Sequence, residues 1–298
     1  MNNSITLVVS SCDKYEDAWY PYFELLKKYW PQHPEQIALI TETKQYSTDG
    51  LNIKTYNYPE SYTWSERLYK TLESIDTKYI IFSLEDCFLL DYVKQDKIDE
   101  CIKWMEEDEN IAECRLYGTN HPKLQKIEKY GDFYSAGKDM AYRVDAQVAV
   151  WNREAFMSLL DFSETPWQFE KNASIRSKSN DKLLLWHYVN DIENVDNMIF
   201  PYKYVAELGY GIAWGKWLWN NKAWFEKNGI YNVNYRRLGK ISKRNADFRF
   251  KHLYNQNPTK FDKLIRKIWK IVSLVSKVKS NIFAFGFRKG IAVSWNKR

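Results

Sequence analysis

Short apolar runs alternate with helical patterns through the first half of the chain. The runs are rich in β-branched residues and end at polar positions, which predicts buried strands. Between them, apolar residues recur at three- and four-residue steps, which predicts helices. The predicted strands are Ile5–Val9, Ile37–Thr41, Ile53–Tyr56, Tyr79–Leu84 and Ile111–Tyr117, and the predicted helices are Glu16–Trp30, Ser65–Ser74 and Asp96–Asp108. This order predicts an α/β fold with a mainly parallel sheet flanked by helices.

The second half of the chain is less regular. Alternation over Tyr142–Trp151 predicts a further strand, Asn152–Leu160 a capped helix, and Asp161–Lys178 a turn with a short helix. A segment rich in Gly and Trp covers 201–219, and a polar, basic stretch covers 235–257. No internal repeat is evident. We therefore expect one large domain over residues 1–257 and a separate C-terminal tail over 258–298.

Charge separates these two parts. The net charge is +6, yet residues 258–298 hold eleven Lys and Arg against one acid, Asp262, so the rest of the chain carries a net −4. From Phe261 to Ile282, apolar residues fall at helical spacing with basic residues between them. This pattern is typical of an amphipathic helix on an anionic membrane surface. The alternative is a helix docked on the domain with its lysines in water.

Composition narrows the class of protein. The chain is 45% hydrophobic and 28% charged, as in ordinary globular proteins. It has no apolar run of about 18 residues, which a membrane span needs, and no secretory signal, so we expect a cytoplasmic protein held peripherally at the inner face of the membrane. The four cysteines lack the spacing of a zinc site. No nucleic-acid-reading motif is present, so nucleic acid is not an expected partner.

Two predicted strands end in residues that can bind a ligand. Ser10-Ser11-Cys12-Asp13 follows the first strand, and Glu85-Asp86-Cys87 follows the fourth. Ligands of parallel sheets gather at the carboxyl ends of the strands. Adjacent acids there are costly unless a cation meets them, and Mg²⁺ or Mn²⁺ on a diphosphate is such a cation. For Asp13 and Asp86 the alternative is a carboxylate that caps a loop.

A set of short motifs resembles those of bacterial GT-A-type glycosyltransferases of surface-polysaccharide assembly, the enzymes that build capsule or lipopolysaccharide. The motifs lie at Val8–Tyr15, Trp64–Leu68, Glu85–Asp86, Gln147–Asn152 and Pro166–Glu170, and the resemblance covers about residues 5–220. It implies a GT-A-like, Rossmann-type domain that moves a sugar from a nucleotide-diphosphate sugar, with a UDP-sugar favoured, to a hydroxyl of a lipid-linked or free glycan. Only Asp86 matches the Asp-x-Asp metal motif of this family, so dependence on Mn²⁺ or Mg²⁺ stays open.

The resemblance also implies roles for single residues. Those expected to bind the nucleotide sugar are Ser11, Asp13, Arg67, Glu85, Asp86 and Lys216, with Asp86 as the metal ligand. For Arg67 the alternative is a surface ion pair with Glu66 or Glu73. For Lys216 it is a loop that only packs its tryptophans on the domain.

Glu170 is the expected general base, and Glu164 and Asp145 are its rivals in that order. Inversion is expected because a base is available and no covalent nucleophile is evident. Trp167 and Gln147 are expected to contact the acceptor, since a flat ring stacks on a sugar face. The alternative for Glu170 is an exposed helical acid.

Two other functions stay open. A sugar nucleotidyltransferase uses a similar sheet, although the Gly-rich phosphate loop that it needs does not follow the first strand. A non-catalytic carbohydrate-binding protein would use the aromatic residues, which make up 17% of the chain. His187 lies between Trp186 and Tyr188 and is expected to be a packed strand residue rather than a metal ligand.

Overall fold

A computed structural model describes residues 5–192, 194–202, 211–213, 215–253 and 259–268. Within them the strands are β1 (Ile5–Ser10), β2 (Gln36–Thr41), β3 (Ile53–Asn57), β4 (Tyr79–Leu84), β5 (Ile111–Thr119), β6 (Leu124–Lys126), β7 (Phe133–Ala136), β8 (Ala149–Asn152), β9 (Leu183–Tyr188), β10 (Ile212–Ala213) and β11 (Lys216–Trp217). The helices are α1 (Glu16–Tyr29), α2 (Trp64–Glu73), α3 (Gln95–Glu107), α4 (Arg153–Met157), α5 (Pro166–Arg176), α6 (Asn221–Lys227) and α7 (Lys243–Leu253).

The first nine of these strands form one sheet in the order β3-β2-β1-β4-β8-β5-β9-β7-β6. β1 to β4 pair in parallel, and β5 pairs in parallel with β9. The predicted α/β class, with its parallel strands between helices, is confirmed. Sequence reasoning missed β6 and β7, which pair antiparallel, and the antiparallel direction of β8 between β4 and β5.

The core has two layers, one on each face of the sheet. Alternate residues of β1 point to opposite faces, so Leu7 and Val9 pack with α1 and α3, whereas Val8 packs with α2, α4 and α5. Every residue of β1 is buried, as expected for a strand with helices on both faces. Local caps then set the helix starts. The Thr63 side chain accepts a hydrogen bond from the Glu66 N–H at α2, and Thr165 with Gln168 forms a capping box at α5.

The strand predicted over Tyr142–Trp151 is shorter than expected, because the regular strand is only Ala149–Asn152. Tyr142 has a φ of 54°, in the left-handed region, which interrupts extended backbone. The neighbouring Arg143 is buried and donates hydrogen bonds to the backbone carbonyls of Ala136, Ser177 and Lys182. The alternating sequence before Ala149 therefore lies in an irregular segment, which the hydrogen bonds of Arg143 anchor to neighbouring backbone.

The chain divides into two compact units, Met1–Lys240 and Ile241–Arg298. The second unit contains α7 and a helix over 260–268, whose first turn is capped by reciprocal hydrogen bonds between Thr259 and Asp262. Much of the predicted tail, residues 258 and 269–298, lies outside the described residues. In the part of the chain that the structure describes, no helix has the length and apolar character needed to cross a bilayer.

Candidate functional site

Ser11, Glu85 and Asp86 meet where β1 and β4 end side by side, because Ser10 pairs with Leu84 in the parallel register. The Ser11 hydroxyl accepts a hydrogen bond from Trp19 Nε1 at 2.8 Å and donates one to Glu85. Glu85 is only 7% exposed. Burial and the neighbouring charge of Asp86 raise the pKa of Glu85 well above its usual range. Two acids are thus held close together at this edge.

Arg67 lies at the same edge, on α2. Its guanidinium forms an ion pair with Glu42 at the end of β2, and both side chains are largely buried. The surface pairing with Glu66 or Glu73 that the sequence left open is therefore wrong. Burial, Glu85 and Glu42 raise the pKa of Cys12 to about 11, while Arg67 acts in the opposite direction. We call Ser11, Arg67, Glu85 and Asp86 the strand-edge group.

Asp13 is turned toward the loop after β2. Its carboxylate accepts hydrogen bonds from the backbone N–H groups of Glu42, Thr43 and Lys44 at 3.1–3.3 Å, and from the Thr43 hydroxyl at 2.5 Å. Burial opposes ionisation of Asp13, but these hydrogen bonds outweigh it and lower its pKa. Asp13 therefore joins the ends of β1 and β2. This arrangement corresponds to the alternative in which its carboxylate caps a loop.

A second group lies beside the strand-edge group, in the turn that precedes β8. Ala149 pairs with Phe82 of β4 and with Arg115 of β5, so residues 145–148 reach the edge where β4 ends. In this turn the Asp145 carboxylate accepts the Gln147 N–H at 3.1 Å. The backbone N–H of Ala146, in the same turn, donates a hydrogen bond to Glu170 Oε1 at 3.1 Å. Two of the three candidate bases therefore come together, although 25 positions separate them in sequence.

The surroundings of Glu170 in this turn raise the pKa of its carboxyl group. Burial and the charge of Asp145 raise the pKa of Glu170, while the Ala146 N–H and the cation of Arg115 oppose the rise. The carboxylate is half-buried rather than exposed as the alternative had it. A raised pKa brings a carboxylate closer to neutral pH and makes it a stronger base.

Arg115 was missed from the sequence, and so was its pairing with Asp145. Arg115 lies on β5 and is 3% exposed, and its Nη2 contacts Asp145 Oδ1 at 3.0 Å. Its guanidinium lies over the Trp186 ring, 3.3 Å from the centroid. Burial raises the pKa of Glu113, its other acidic neighbour, to about 7. Glu113 and Arg115 lie within a strand that is predicted to be buried, and charged residues occur in cores only when they are paired. These two residues were therefore the signal in the sequence that a buried ion pair lies here. We call Arg115, Asp145, Gln147 and Glu170 the turn group.

Tyr202 connects the loop after β4 to the turn before β8. Its backbone bridges to Leu89, just beyond the end of β4, and its hydroxyl accepts a hydrogen bond from the Val148 N–H at 3.3 Å. The same hydroxyl donates to Gln147 Oε1. Gln147, expected to contact an acceptor, thus has its amide oxygen held by Tyr202 and its amide nitrogen available as a donor.

Glu164, the first rival to Glu170, is placed apart from the turn group. Its carboxylate receives two hydrogen bonds from the Arg176 guanidinium, at 2.8 and 2.6 Å, and one from Asn172 at 2.7 Å. The Arg176 hydrogen bond is the main reason why the pKa of Glu164 is lowered. A lowered pKa and occupied oxygens describe a carboxylate that holds the start and end of α5 together. Trp167, on the same helix, is 76% exposed.

Lys216 lies on a short hairpin formed by β10 and β11, and its side chain is exposed. The hairpin approaches the strand-edge group closely at Gly215, which has a φ of +68°. A Cβ built there would lie 3.3 Å from Lys14 Nζ and 3.5 Å from the Tyr15 hydroxyl. Burial and the charges of Glu85 and Asp86 raise the pKa of Tyr15. The Gly-rich hairpin is thus next to a tyrosine that faces both acids.

The donor set at the strand edge suits a divalent cation that is shared with a substrate. Glu85 and Asp86 supply carboxylate oxygens, and Mg²⁺ or Mn²⁺ sites are commonly built from one or two carboxylates plus phosphates and water. Across the described ranges, no cluster of three or more His, Cys, Asp or Glu side chains is assembled for a metal. His187 packs against Phe133, and burial lowers its pKa to about 4, so it is the strand residue that the sequence predicted.

Comparison with known proteins gives similarity of fold at low sequence identity. No protein-family model matches the chain, and no curated protein is significantly similar to it. Residues 1–349 of TarS from S. aureus are 8% identical, with a TM-score of 0.40 over 63% of this chain and 58% of that one. The mannosyltransferase PcManGT from Pyrobaculum calidifontis, solved with GDP-Man and Mn²⁺, is 12% identical, with a TM-score of 0.40 over 63% and 55% of the two chains. CMP:2-keto-3-deoxy-manno-octonic acid synthetase, solved with CTP, is 10% identical, with a TM-score of 0.41 over 62% and 89%. This chain spans a little over half the length of TarS 1–349 and of PcManGT, and these likenesses concern the fold alone.

Proposed function

We propose that this protein is a glycosyltransferase that moves a sugar from a nucleotide-diphosphate sugar to a hydroxyl group of a glycan acceptor, with inversion at the anomeric carbon. The observation that carries the proposal is the proximity of two differently equipped groups at one edge of the sheet. The strand-edge group offers carboxylates, a hydroxyl and a guanidinium, which suit a diphosphate with its cation. The turn group offers a carboxylate with a raised pKa, which suits a base.

On the donor side, Ser11 and Trp19 hold Glu85 in place beside Asp86. Bound there, Mn²⁺ or Mg²⁺ would neutralise the diphosphate and so favour its departure. Asp86, with Glu85 beside it, would hold that cation through carboxylate oxygens. Lys216, the exposed residue of β11 in the hairpin, and Arg67 on α2 are the cations that would meet the phosphates or the nucleobase. Asp13 would support this side indirectly, by fixing the loop after β2.

On the acceptor side, Glu170 would take the proton from the attacking hydroxyl. The hydroxyl oxygen forms a bond to the anomeric carbon, the bond from that carbon to the diphosphate oxygen breaks, and the nucleoside diphosphate leaves with the electron pair. The Ala146 N–H holds one oxygen of Glu170, which leaves the other oxygen for the acceptor. Trp167, exposed on the same helix one turn earlier, would stack on the acceptor sugar.

Removing the Asp86 carboxylate should abolish the metal-dependent part of nucleotide binding. We expect UDP with Mn²⁺, at about a hundredfold above its Kd, to raise the melting temperature by roughly 4–5 °C. In Asp86→Asn, addition of Mn²⁺ should add nothing to the effect of the nucleotide. Asp91→Asn, an exposed acid of the same loop, is the matched control and should behave as the unchanged protein. A panel of UDP, GDP, CMP and dTDP, each with and without Mn²⁺, also identifies the nucleotide. Equal Mn²⁺ effects in all three proteins would contradict the role of Asp86.

The alternatives differ in what they turn over. A sugar nucleotidyltransferase would consume a nucleoside triphosphate and a sugar phosphate and release pyrophosphate. A carbohydrate-binding protein would bind sugars or nucleotide sugars without releasing any product. Release of a nucleoside diphosphate from a nucleotide sugar, dependent on an added glycan, supports transfer and excludes both.

The helix over 260–268 supports a location at a membrane surface. Its apolar residues Phe261, Leu264 and Ile268 are 56%, 53% and 48% exposed, and they recur at helical spacing. Exposed lysines accompany them at positions 260, 263 and 267. An exposed apolar stripe with basic residues beside it suits anionic lipid at the inner face of a membrane. A lipid-linked glycan would then be the acceptor that such a position brings within reach.

Neutralising these lysines should weaken binding to anionic vesicles. Each base near an anionic surface contributes about 1 kcal/mol, so replacing Lys260, Lys263 and Lys267 with glutamine should weaken binding on the order of 100-fold. The measurement is co-sedimentation with vesicles of anionic and of zwitterionic lipid. Lys123, Lys126 and Lys129, which are exposed in the first unit, provide the control when replaced in the same way. Equal binding by both triple variants would refute the proposed membrane contact.

A further inference from the structure

The guanidinium of Arg115 is clamped from two sides inside the protein. The Trp186 ring lies 3.3 Å from its central carbon, and Glu113 Oε1 lies 3.5 Å from its Nε. The Trp186 indole N–H donates to Glu113 Oε2 at 3.3 Å, so the two partners are also joined to each other. All three side chains are at most 5% exposed. The guanidinium is thus held by ring stacking and by ion-pair contacts, because neither its Nε nor its Nη2 makes a hydrogen bond within the described residues.

Held in this way, Arg115 faces the turn before β8. Its Nη2 contacts Asp145 Oδ1 at 3.0 Å, and the same oxygen accepts the Gln147 N–H. Asp145 is therefore fixed by a cation on one side and by its own turn on the other. Ala146 lies between Asp145 and Gln147 in this turn, and its backbone N–H donates a hydrogen bond to Glu170. A continuous set of contacts thus runs from the clamped guanidinium to the carboxylate of Glu170.

We propose that Arg115 is a positioning residue that fixes the Asp145–Gln147 turn and, through it, sets the place and the charge of the Glu170 carboxylate. The contacts with Asp145 and the turn give the position. The charge follows because Asp145 and Arg115 are the charged groups that face Glu170, one from the turn and one from β5. The catalytic consequence rests on the proposed function, in which Glu170 is the base.

Asp145 and Arg115 shift the pKa of Glu170 in opposite directions, so the proposal predicts opposite effects when each charge is removed. Arg115 opposes the rise in the pKa of both Glu170 and Asp145, so loss of its positive charge favours the protonated form of Glu170. Loss of the Asp145 charge leaves the cation unopposed, which favours the ionised form. Asparagine at position 145 keeps an oxygen that can accept the Gln147 N–H, so the turn is preserved while its charge is removed.

The test is a ¹³C NMR titration of the full-length protein with labelled glutamate carboxyl groups, in which Glu170→Gln assigns the resonance of Glu170. We expect the titration midpoint to rise in Arg115→Met and to fall in Asp145→Asn. Arg115→Lys keeps a cation without the planar fork, so its midpoint should lie between those of the unchanged protein and Arg115→Met. Arg176→Met, which removes a guanidinium that pairs with Glu164 on the same helix, should leave the midpoint unchanged.

Opposite shifts support the proposal, whereas unchanged midpoints or shifts in the same direction overturn it. If Arg115→Met does not fold, the direction of the Asp145→Asn shift decides alone, since a midpoint that rises or stays would overturn it. Transfer assays separate this inference from the proposed function. The acid limb of the pH profile of kcat/KM should move with the midpoint. Opposite NMR shifts in a protein that transfers no sugar would leave the role of Arg115 supported and would remove Glu170 as a base.

Discussion

Replacing Glu170 with glutamine should lower the rate of sugar transfer by about 10²–10⁴-fold, because a general base contributes that much. Glutamine keeps the size of the side chain and its oxygen, so the hydrogen bond from the Ala146 N–H can persist. Only the capacity to take a proton is lost. The change should therefore fall on kcat, with little effect on nucleotide binding. It is measured as nucleoside diphosphate released in the presence of donor and glycan acceptor.

The pH dependence provides a second readout for the same residue. A base works when it is ionised, so kcat/KM of the unchanged protein should rise with pH through the raised pKa of Glu170. In Glu170→Gln this limb should disappear from the residual rate. Glu154→Gln, an exposed acid in the first turn of α4, is the control and should keep both rate and profile. A larger loss of rate in Glu164→Gln than in Glu170→Gln would transfer the role of base to Glu164.

Replacing Trp151 with alanine should destabilise the fold by about 3–5 kcal/mol, a large part of the stability of a typical domain. Trp151 is 0% exposed, and it lies on β8 between the two halves of the sheet. Its ring packs on Phe156, with centroids 4.9 Å apart. The indole N–H has no hydrogen-bond partner among the described residues, so the loss comes from ring volume and apolar contact. The free energy of unfolding in urea gives the value.

Trp167→Ala is the matched control for this prediction, because it makes the same chemical change on an exposed surface. At 76% exposure, loss of the Trp167 ring should change the free energy of unfolding by no more than about 0.5 kcal/mol. The same variant should weaken acceptor binding, which appears as a higher KM for the glycan. Equal destabilisation by the two substitutions would show that burial of Trp151 does not stabilise the sheet.

The parallel half of the sheet could be predicted because each of its strands is recognisable from its own local sequence. β1 and β4 are continuous apolar runs, and their ends carry Ser11 and Glu85, so both the strands and the polar edge follow from local sequence. The helices on either side follow from spacing and caps in the same way. These features depend on residues that are neighbours in the chain, which is where periodicity is informative.

The turn group could be predicted only in part. Glu170 follows from the Pro166–Glu170 motif and Asp145 is a rival base. Nothing local indicates that Arg115 pairs with Asp145, since these residues meet only after β8 has entered the sheet. The same reason explains β6 and β7, short strands that form because β7 pairs with β9 and β6 pairs with β7, rather than through a pattern of their own. Asp13 shows the converse: its sequence suits a ligand, and its neighbours after β2 occupy its oxygens.

The antiparallel β8 also sets the order in which the two groups of the site can form as the chain is made. Residues up to 86 contain everything that the strand-edge group requires, because β1 to β4 pair with one another. The turn group needs β5, β8 and α5, and the Trp186 ring that holds Arg115 comes with β9, so the group is complete only at residue 186. Synthesis runs from the N-terminus, and early segments can pair before later ones exist. A growing chain can thus assemble the strand-edge group first and complete the turn group about 100 residues later.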